Sequence, residues 1–170
     1  MSFSEWAPLL AYPGPDYHAS VRACGAAFPS QEMDEFARNV EALPVEALQE
    51  LYAQTFDWSP DTTLDIGWHL FGENYDRGAF LVKLRGALRT HGLAESNELP
   101  DHLSHVLPLL DRLPDDERTE FAAKYVLPAI GKLHDGLSKA ESLFLPLVVC
   151  IRREISALVP ETVSSGANHE

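Results

Sequence analysis

WHLFGENYDRGAFLVKLRGALRTHG, from Trp68 to Gly92, reads as a helix end, a junction and a whole helix. Leu81, Leu84 and Leu88 recur at three- and four-residue spacing and form one stripe, with Lys83, Arg85 and Arg89 elsewhere on the cylinder. Gly92 suits the left-handed residue that follows a helix. Upstream, Gly72 ends the preceding helix. Asn74 caps the next one, and Asp76 sits in its first turn, where a carboxylate meets the positive end of the helix dipole. Arg77 reads as a structural residue pairing with Asp57, Glu73 or a nearby carbonyl, with Gly78 beside it in the junction.

The same grammar continues in both directions. Pro44 opens PVEALQELYAQTF, and Pro114 opens PDDERTEFAAKYVLPAI with Asp115, Asp116 and Glu117 in its first turn. Ser2 with Glu5, Thr62 with Asp65, and Ser138 with Glu141 fit the capping-box spacing, and Ser30 fits a simple N-cap. Near the end, Phe144, Val148, Ile151 and Ile155 keep helical period, so Pro146 either kinks that helix or lies in its first two turns. No period-2 run with hairpin signals is present. Helices are expected over 3–11, 16–27, 31–42, 45–56, 63–71, 75–90, 100–112, 115–135 and 139–158. The fold class is therefore all-α: a single-domain compact bundle of about eight or nine helices over residues 1–159, with a polar, disordered tail over 160–170.

Composition narrows function. Thirteen Lys and Arg face 26 Asp and Glu, a formal net charge of −13 in 170 residues. Such a chain does not suit a phosphate backbone, so no nucleic-acid partner is expected; a basic peptide is compatible. Residues 30–65 hold nine acids and one base. The start lacks a basic n-region followed by a long apolar core, and the longest nearly apolar run, Leu143–Ile151, is too short for a membrane span. Cys24 and Cys150 share no motif. A soluble, cytoplasmic protein without stable membrane association is expected.

No pattern of catalysis stands out. His102 and His105 share one side of a helix, yet no rigid third ligand is evident, so no metal site is expected. A nucleophile elbow and phosphate-binding glycine loops are absent from the sequence. Partner binding fares better. Tyr52, Phe56, Trp58, Trp68, Phe71 and Tyr75 lie within 24 positions, interleaved with Glu50, Asp57, Asp61, Asp65, Glu73 and Asp76. Each aromatic taken singly points to the core. The cluster, mixed with acids, points to a groove for a segment carrying basic residues.

ELYAQTFDWSPDTTLDIGWHLFGENYDRGAFLVKL, Glu50 to Leu84, resembles the central signature of the nitrate reductase molybdenum cofactor assembly chaperones, the NarJ-type branch of the redox-enzyme maturation chaperones. Glu50, Leu51, Tyr52, Thr55, Phe56 and Asp57 match its first half; His69, Leu70, Phe71, Gly72, Glu73, Arg77 and Gly78 match its second. ELPDHLSHVLPLLDRL, Glu98 to Leu113, is similar to the family's Glu-Leu-Pro-Asp-His-Leu segment, and LLAYPGPDY to its first helix and exit. The likeness runs from about residue 7 to 155. Gly67 departs from the pattern by standing in an apolar stretch where a helix would not favour glycine.

The resemblance implies a cytoplasmic chaperone, not an enzyme, that carries no cofactor of its own. It would bind a basic N-terminal segment of the apo catalytic subunit of a molybdenum oxidoreductase and hold that subunit ready for its molybdenum cofactor. A monomer or weak dimer is expected. Combined with the groove reading, client contact falls to Tyr52, Phe56, Trp68, Phe71 and Leu81 on the apolar side. Glu50, Asp57, Asp65 and Glu73 would meet client bases. His69 belongs to the same surface, and Asp101 and His102 would border the groove or fix the loop leading into it. Two alternatives come from other classes: a general helical adaptor for folded partners, and a helical-bundle metal enzyme using His69, His102 and His105 with Glu73.

Overall fold

The structure is a computed structural model and describes residues 2–160. The tail expected over 160–170 lies, apart from Pro160, outside the described residues. Among those residues there are nine α-helices and no strand longer than a single bridge. The helices are α1 (Tyr17–Ala27), α2 (Gln31–Glu41), α3 (Val45–Tyr52), α4 (Ile66–Phe71), α5 (Tyr75–Thr90), α6 (Leu103–Arg112), α7 (Asp115–Phe121), α8 (Leu127–Lys139) and α9 (Leu145–Ser156). None is long and apolar enough to cross a membrane.

The start departs from the expected helix over 3–11. It forms two short 3₁₀ turns, Phe3–Glu5 and Ala7–Leu10, seated on α6. Ser2 does not cap with Glu5. Its hydroxyl donates to Asp111 at 2.8 Å, and the backbone N–H groups of Phe3 and Ser4 donate to the same carboxylate at 2.8 Å. Burial raises the Asp111 pKa, but a bond from the Ser4 hydroxyl at 2.6 Å and the three above outweigh it and hold the carboxyl below its ordinary value. The two other expected capping boxes are also absent. Thr62 donates to the carbonyl of Thr55, and Ser138 lies at the end of α8. Ser30 does cap α2, accepting from Met33 N–H at 3.0 Å. Pro146 sits in the first turn of α9, so it starts that helix rather than kinking it.

α9 packs on α2 and α8 across the middle of the bundle. There Phe144 meets Phe36, Tyr52 and Phe56 at ring-centroid distances of 6.0, 6.3 and 4.8 Å. Two helices share one construction. α3 and α7 each start after a Leu-Pro pair and run into a π turn, Ala53–Asp57 and Ala122–Val126. Each π turn carries one residue more than an α turn and so re-aims the side chains that follow. In the first unit Tyr52 and Phe56 are buried; in the second, Ala122 and Val126 occupy the matching positions, fully buried. The second unit thus fills the core with small side chains and leaves Phe121 and Tyr125 half-buried beside it.

Candidate functional site

The two signature segments meet in space. The residues before α4 pair with those before α6 through Ile66 N–H to the Asp101 carbonyl and Leu103 N–H to the Leu64 carbonyl, both 3.0 Å. Beneath this bridge lies Asp101, fully buried. One of its oxygens accepts from Gly67 N–H at 3.0 Å and from Arg77 at 3.2 and 3.3 Å. Arg77 also reaches Asp65 at 3.4 Å and lies over the Trp68 ring at 5.8 Å. Its partners are therefore Asp101 and Asp65, not the expected Asp57 or Glu73. Gly67 has its reason here: a Cβ would stand 2.5 Å from the Asp101 carboxylate and 3.1 Å from Phe80. The glycine that looked adverse for a helix is what lets the carboxylate approach.

Burial pushes the Asp65 carboxyl up to about 6, aided by the Asp101 charge and opposed by Arg77. Its Oδ1 is buried with no partner. Asp57 and Glu98 are also raised, by burial first. These three acids, with Phe56, Trp58, Thr63 and Trp68, line two adjoining clefts of about 260 and 160 Å³. Trp58 is 71% exposed.

His102 and His105 pin the loop that supplies Glu98. His105 Nδ1 bonds the Leu99 carbonyl and its Nε2 accepts from Ser96 N–H, both at 2.9 Å. His102 Nδ1 accepts from Ser104 N–H at 3.2 Å, capping α6. Burial first, and then His105, depress the His102 pKa to about 4. An unfolded histidine titrates near 6.5, so the unfolded chain binds more protons between those values and this group's contribution to stability falls as pH drops through the window. His102→Asn keeps a capping oxygen and removes the titration. Measured by urea unfolding, wild type should lose about 2–3 kcal/mol relative to this variant between pH 7 and pH 4. Parallel curves for the two proteins would show that His102 does not titrate on unfolding.

The expected contact residues divide by burial. Tyr52 and Phe56 are core: the Tyr52 hydroxyl donates to the Leu10 carbonyl at 2.8 Å, and its ring packs on Phe56 at 4.9 Å. Tyr52 offers a client no surface, which corrects the expectation for it; Phe56 is 4% exposed and reaches the two clefts only at its margin. Tyr52 continues the buried stripe of α3 one turn after Leu48, and Phe56 follows it in the π turn. Asp101 and His102 are buried too; Asp101 bonds Gly67 and Arg77, and His102 caps α6 and lines the smaller cleft. Trp68, His69, Phe71, Asp65 and Leu81 are half-buried, whereas Glu50, Asp57 and Glu73 are exposed. The buried stripe of α5 is Phe80, Leu84 and Leu88, with Leu81 at its margin.

At the junction, Gly72 has φ +63° and Asn74 accepts from Asp76 N–H at 3.2 Å. Gly78 faces open space, and nothing in the structure requires glycine there. The three histidines of the metal alternative are committed elsewhere. His69 bonds the Thr63 carbonyl at 2.7 Å, and His102 and His105 serve the loop and the α6 cap. Among the described residues no group of three or more His, Cys, Asp or Glu could hold a metal.

One surface was missed in the sequence. Between α5, α6 and α7 runs an apolar groove of about 270 Å³, floored by Phe80, Leu84, Ala87, Leu109 and Leu113 and walled by Phe121 and Tyr125. Lys83 and Lys124 lie over the Tyr125 ring at 5.9 and 5.2 Å. Aromatic contacts tie it to the signature: Phe71 to Phe80 at 5.4 Å, Phe80 to Tyr125 at 5.1 Å and Tyr125 to Phe121 at 5.7 Å. Its one sequence signal was the pair Phe121 and Tyr125, four apart in a helix whose buried positions were already supplied by Ala122 and Val126.

The model of one family, described as nitrate reductase delta subunit, matches residues 24–148 and so spans both signature segments and the groove. The chain belongs to that family. A member from Escherichia coli strain K12, named nitrate reductase molybdenum cofactor assembly chaperone NarJ, is 34% identical over 113 residues, covering 66% of this chain and 48% of the relative. This chain therefore matches about half the length of that relative. A second, from Bacillus subtilis strain 168, is named a probable nitrate reductase molybdenum cofactor assembly chaperone NarJ; it is 27% identical over 156 residues, covering 87% of this chain and 84% of the relative. The structure adds what joins the two segments: Arg77 of the first bonds Asp101 of the second, and Gly67, which departs from the pattern, leaves room for that carboxylate.

Proposed function

We propose that this chain is a cytoplasmic, non-catalytic chaperone for the catalytic subunit of a molybdenum oxidoreductase of the nitrate reductase kind. It binds a basic N-terminal segment of the apo subunit and holds the subunit open for its molybdenum cofactor, which the client carries and the chaperone does not. The observation that supports this reading is membership in a family with curated relatives named nitrate reductase molybdenum cofactor assembly chaperones. The surface suits it. An apolar groove with half-buried aromatic walls can receive the apolar face of a helical segment, and the separate acidic clefts lined by Asp57, Asp65 and Glu98 complement basic residues. Glu50, Asp57, Asp65 and Glu73 remain the acids for client bases, and Trp68, His69, Phe71 and Leu81 the flanking contacts.

Ala87 lies half-buried on the groove floor, in the interior of α5. Ala87→Glu fills the groove with a charged side chain and leaves no cavity, so folding should be nearly unaffected. Cells lacking the chaperone should yield catalytic subunit with little bound molybdenum, measured by elemental analysis of the purified subunit. Wild-type chain should restore the metal and Ala87→Glu should not. Full molybdenum content without the chain would remove the proposal. A functional Ala87→Glu protein would move the client off the groove.

A further inference from the structure

The apolar groove between α5, α6 and α7 carries its charges in order. Along the α7 wall the exposed charged residues run Glu117, Glu120 and then Lys124. From Glu117 to Lys124 the wall advances by roughly 10 Å, about two turns of a helix. Lys83 reaches the Lys124 end from α5, because both ammonium groups lie over the Tyr125 ring, at 5.9 and 5.2 Å. Phe80 meets the same ring at 5.1 Å. The groove therefore has an acidic end and a basic end, with Leu84 and Leu109 on the floor between its walls.

The fold does not use these four charges. Among the described residues none of them is ion-paired, although Glu120 and Lys124 have the i, i+4 spacing at which a helix commonly joins an acid to a base. Two ammonium groups over one ring repel each other, and a negative group lying between them relieves both. Two carboxylates one turn apart repel in the same way and welcome a positive group.

A helix supplies both groups at the right ends. Its amino end carries free N–H groups and partial positive charge, to which a terminal amine and basic side chains add. Its carboxyl end carries unpaired carbonyls and partial negative charge. Two turns of it present an apolar stripe at i, i+3 or i+4 and i+7, which is the length of the floor. Laid the other way, the same helix meets like charge at both ends.

We propose that the groove takes the client's helical segment in one direction only, with the amino end over Glu117 and Glu120 and the carboxyl end over Lys83 and Lys124. The inference rests on the chaperone reading above and adds the polarity of the bound segment. Apolar contact gives the groove its affinity; the ordered charges give the direction.

The probe is a synthetic peptide of about the first fifteen residues of a nitrate reductase-like catalytic subunit from the same genome, some 22 Å long as a helix. It carries a nitroxide-labelled cysteine as its second or as its last residue. Backbone amide signals of the whole chain are followed by NMR. The label near the amino end should broaden Glu117 and Glu120 more than Lys83 and Lys124, and the label at the carboxyl end should do the reverse. Without labels, acetylating the peptide amine should weaken binding about threefold to wild type and leave binding to the Glu117→Gln, Glu120→Gln variant unchanged, as expected of exposed charge pairs. Both substituted positions are exposed, so folding should be unaffected. Reversed broadening, equal broadening from both labels, or a peptide that binds and broadens neither end would each overturn the proposal, and the last would give the groove to another occupant. In all three results the peptide binds, so the chaperone reading stands; a peptide that does not bind at all overturns the leader-binding reading and this inference together.

Discussion

Replacing Asp101 with alanine should lower the free energy of unfolding by about 3–5 kcal/mol, the cost of stripping one partner from a buried ion pair. Asp101 is fully buried and answers two groups at once, the Gly67 N–H and the Arg77 guanidinium. Without it the N–H is orphaned, and Arg77, whose side chain is only 18% exposed, keeps just the 3.4 Å contact to Asp65. Gly67 adds to the loss, because the space made for a carboxylate becomes a void beside Phe80. Asp101→Asn keeps the shape and most of the acceptors and should cost less than the alanine. Urea denaturation of the three proteins at pH 7 checks the order. An Asp101→Ala protein within about 1 kcal/mol of wild type would show that the Asp101–Arg77 pair does not hold the two signature segments together.

Gly136→Ala should destabilise by about 2 kcal/mol, although alanine favours a helix over glycine by about 1 kcal/mol. Gly136 lies in α8 where the turn Pro60–Thr62 crosses it. An added Cβ would overlap the Asp61 carbonyl and approach Thr62 Cγ2 at 3.1 Å. A backbone carbonyl cannot swing aside as a side-chain tip can, so the turn must lift, carrying Pro60 and its neighbours with it. The same helix supplies the control. At Gly131 the nearest atom to an added Cβ is the Arg152 side chain at 3.7 Å, so Gly131→Ala should stabilise by up to about 1 kcal/mol. Thermal unfolding of the pair should give shifts of opposite sign; a stabilising Gly136→Ala would mean that the crossing is looser than described.

The helical class was legible because caps and stripes repeat in the sequence. Pro44, Ser30, Asn74 and Pro114 each start a helix by local chemistry, and local chemistry is what one sequence displays. The expected capping boxes at Ser2, Thr62 and Ser138 failed for the complementary reason: each hydroxyl or turn is claimed by a tertiary neighbour or by the end of another helix. Asp111 is 109 residues from Ser2, and no spacing rule reaches that far.

The signature residues were legible as a set, but not their division of labour. Tyr52 and Phe56 read as groove walls but belong to the core, and Arg77 read as a partner of Asp57 or Glu73 but pairs with Asp101, 24 residues away. Gly67 looked like a defect in a helix; it is the gap that the Asp101 carboxylate enters. The groove over α5 to α7 escaped because its residues come from three helices, each of which reads as an ordinary amphipathic face.

The most direct test of the account is a calorimetric titration of the chain with a peptide of about the first fifteen residues of a nitrate reductase-like catalytic subunit from the same genome, run at low and at raised salt. The account predicts saturable binding that weakens as salt rises, because part of the recognition is charge between a basic segment and an acidic cleft. It also predicts at least tenfold weaker binding by Ala87→Glu, with an unchanged unfolding midpoint. Absence of binding at either salt, or binding indifferent to both salt and Ala87→Glu, would contradict the claim that this face receives the client's N-terminal segment.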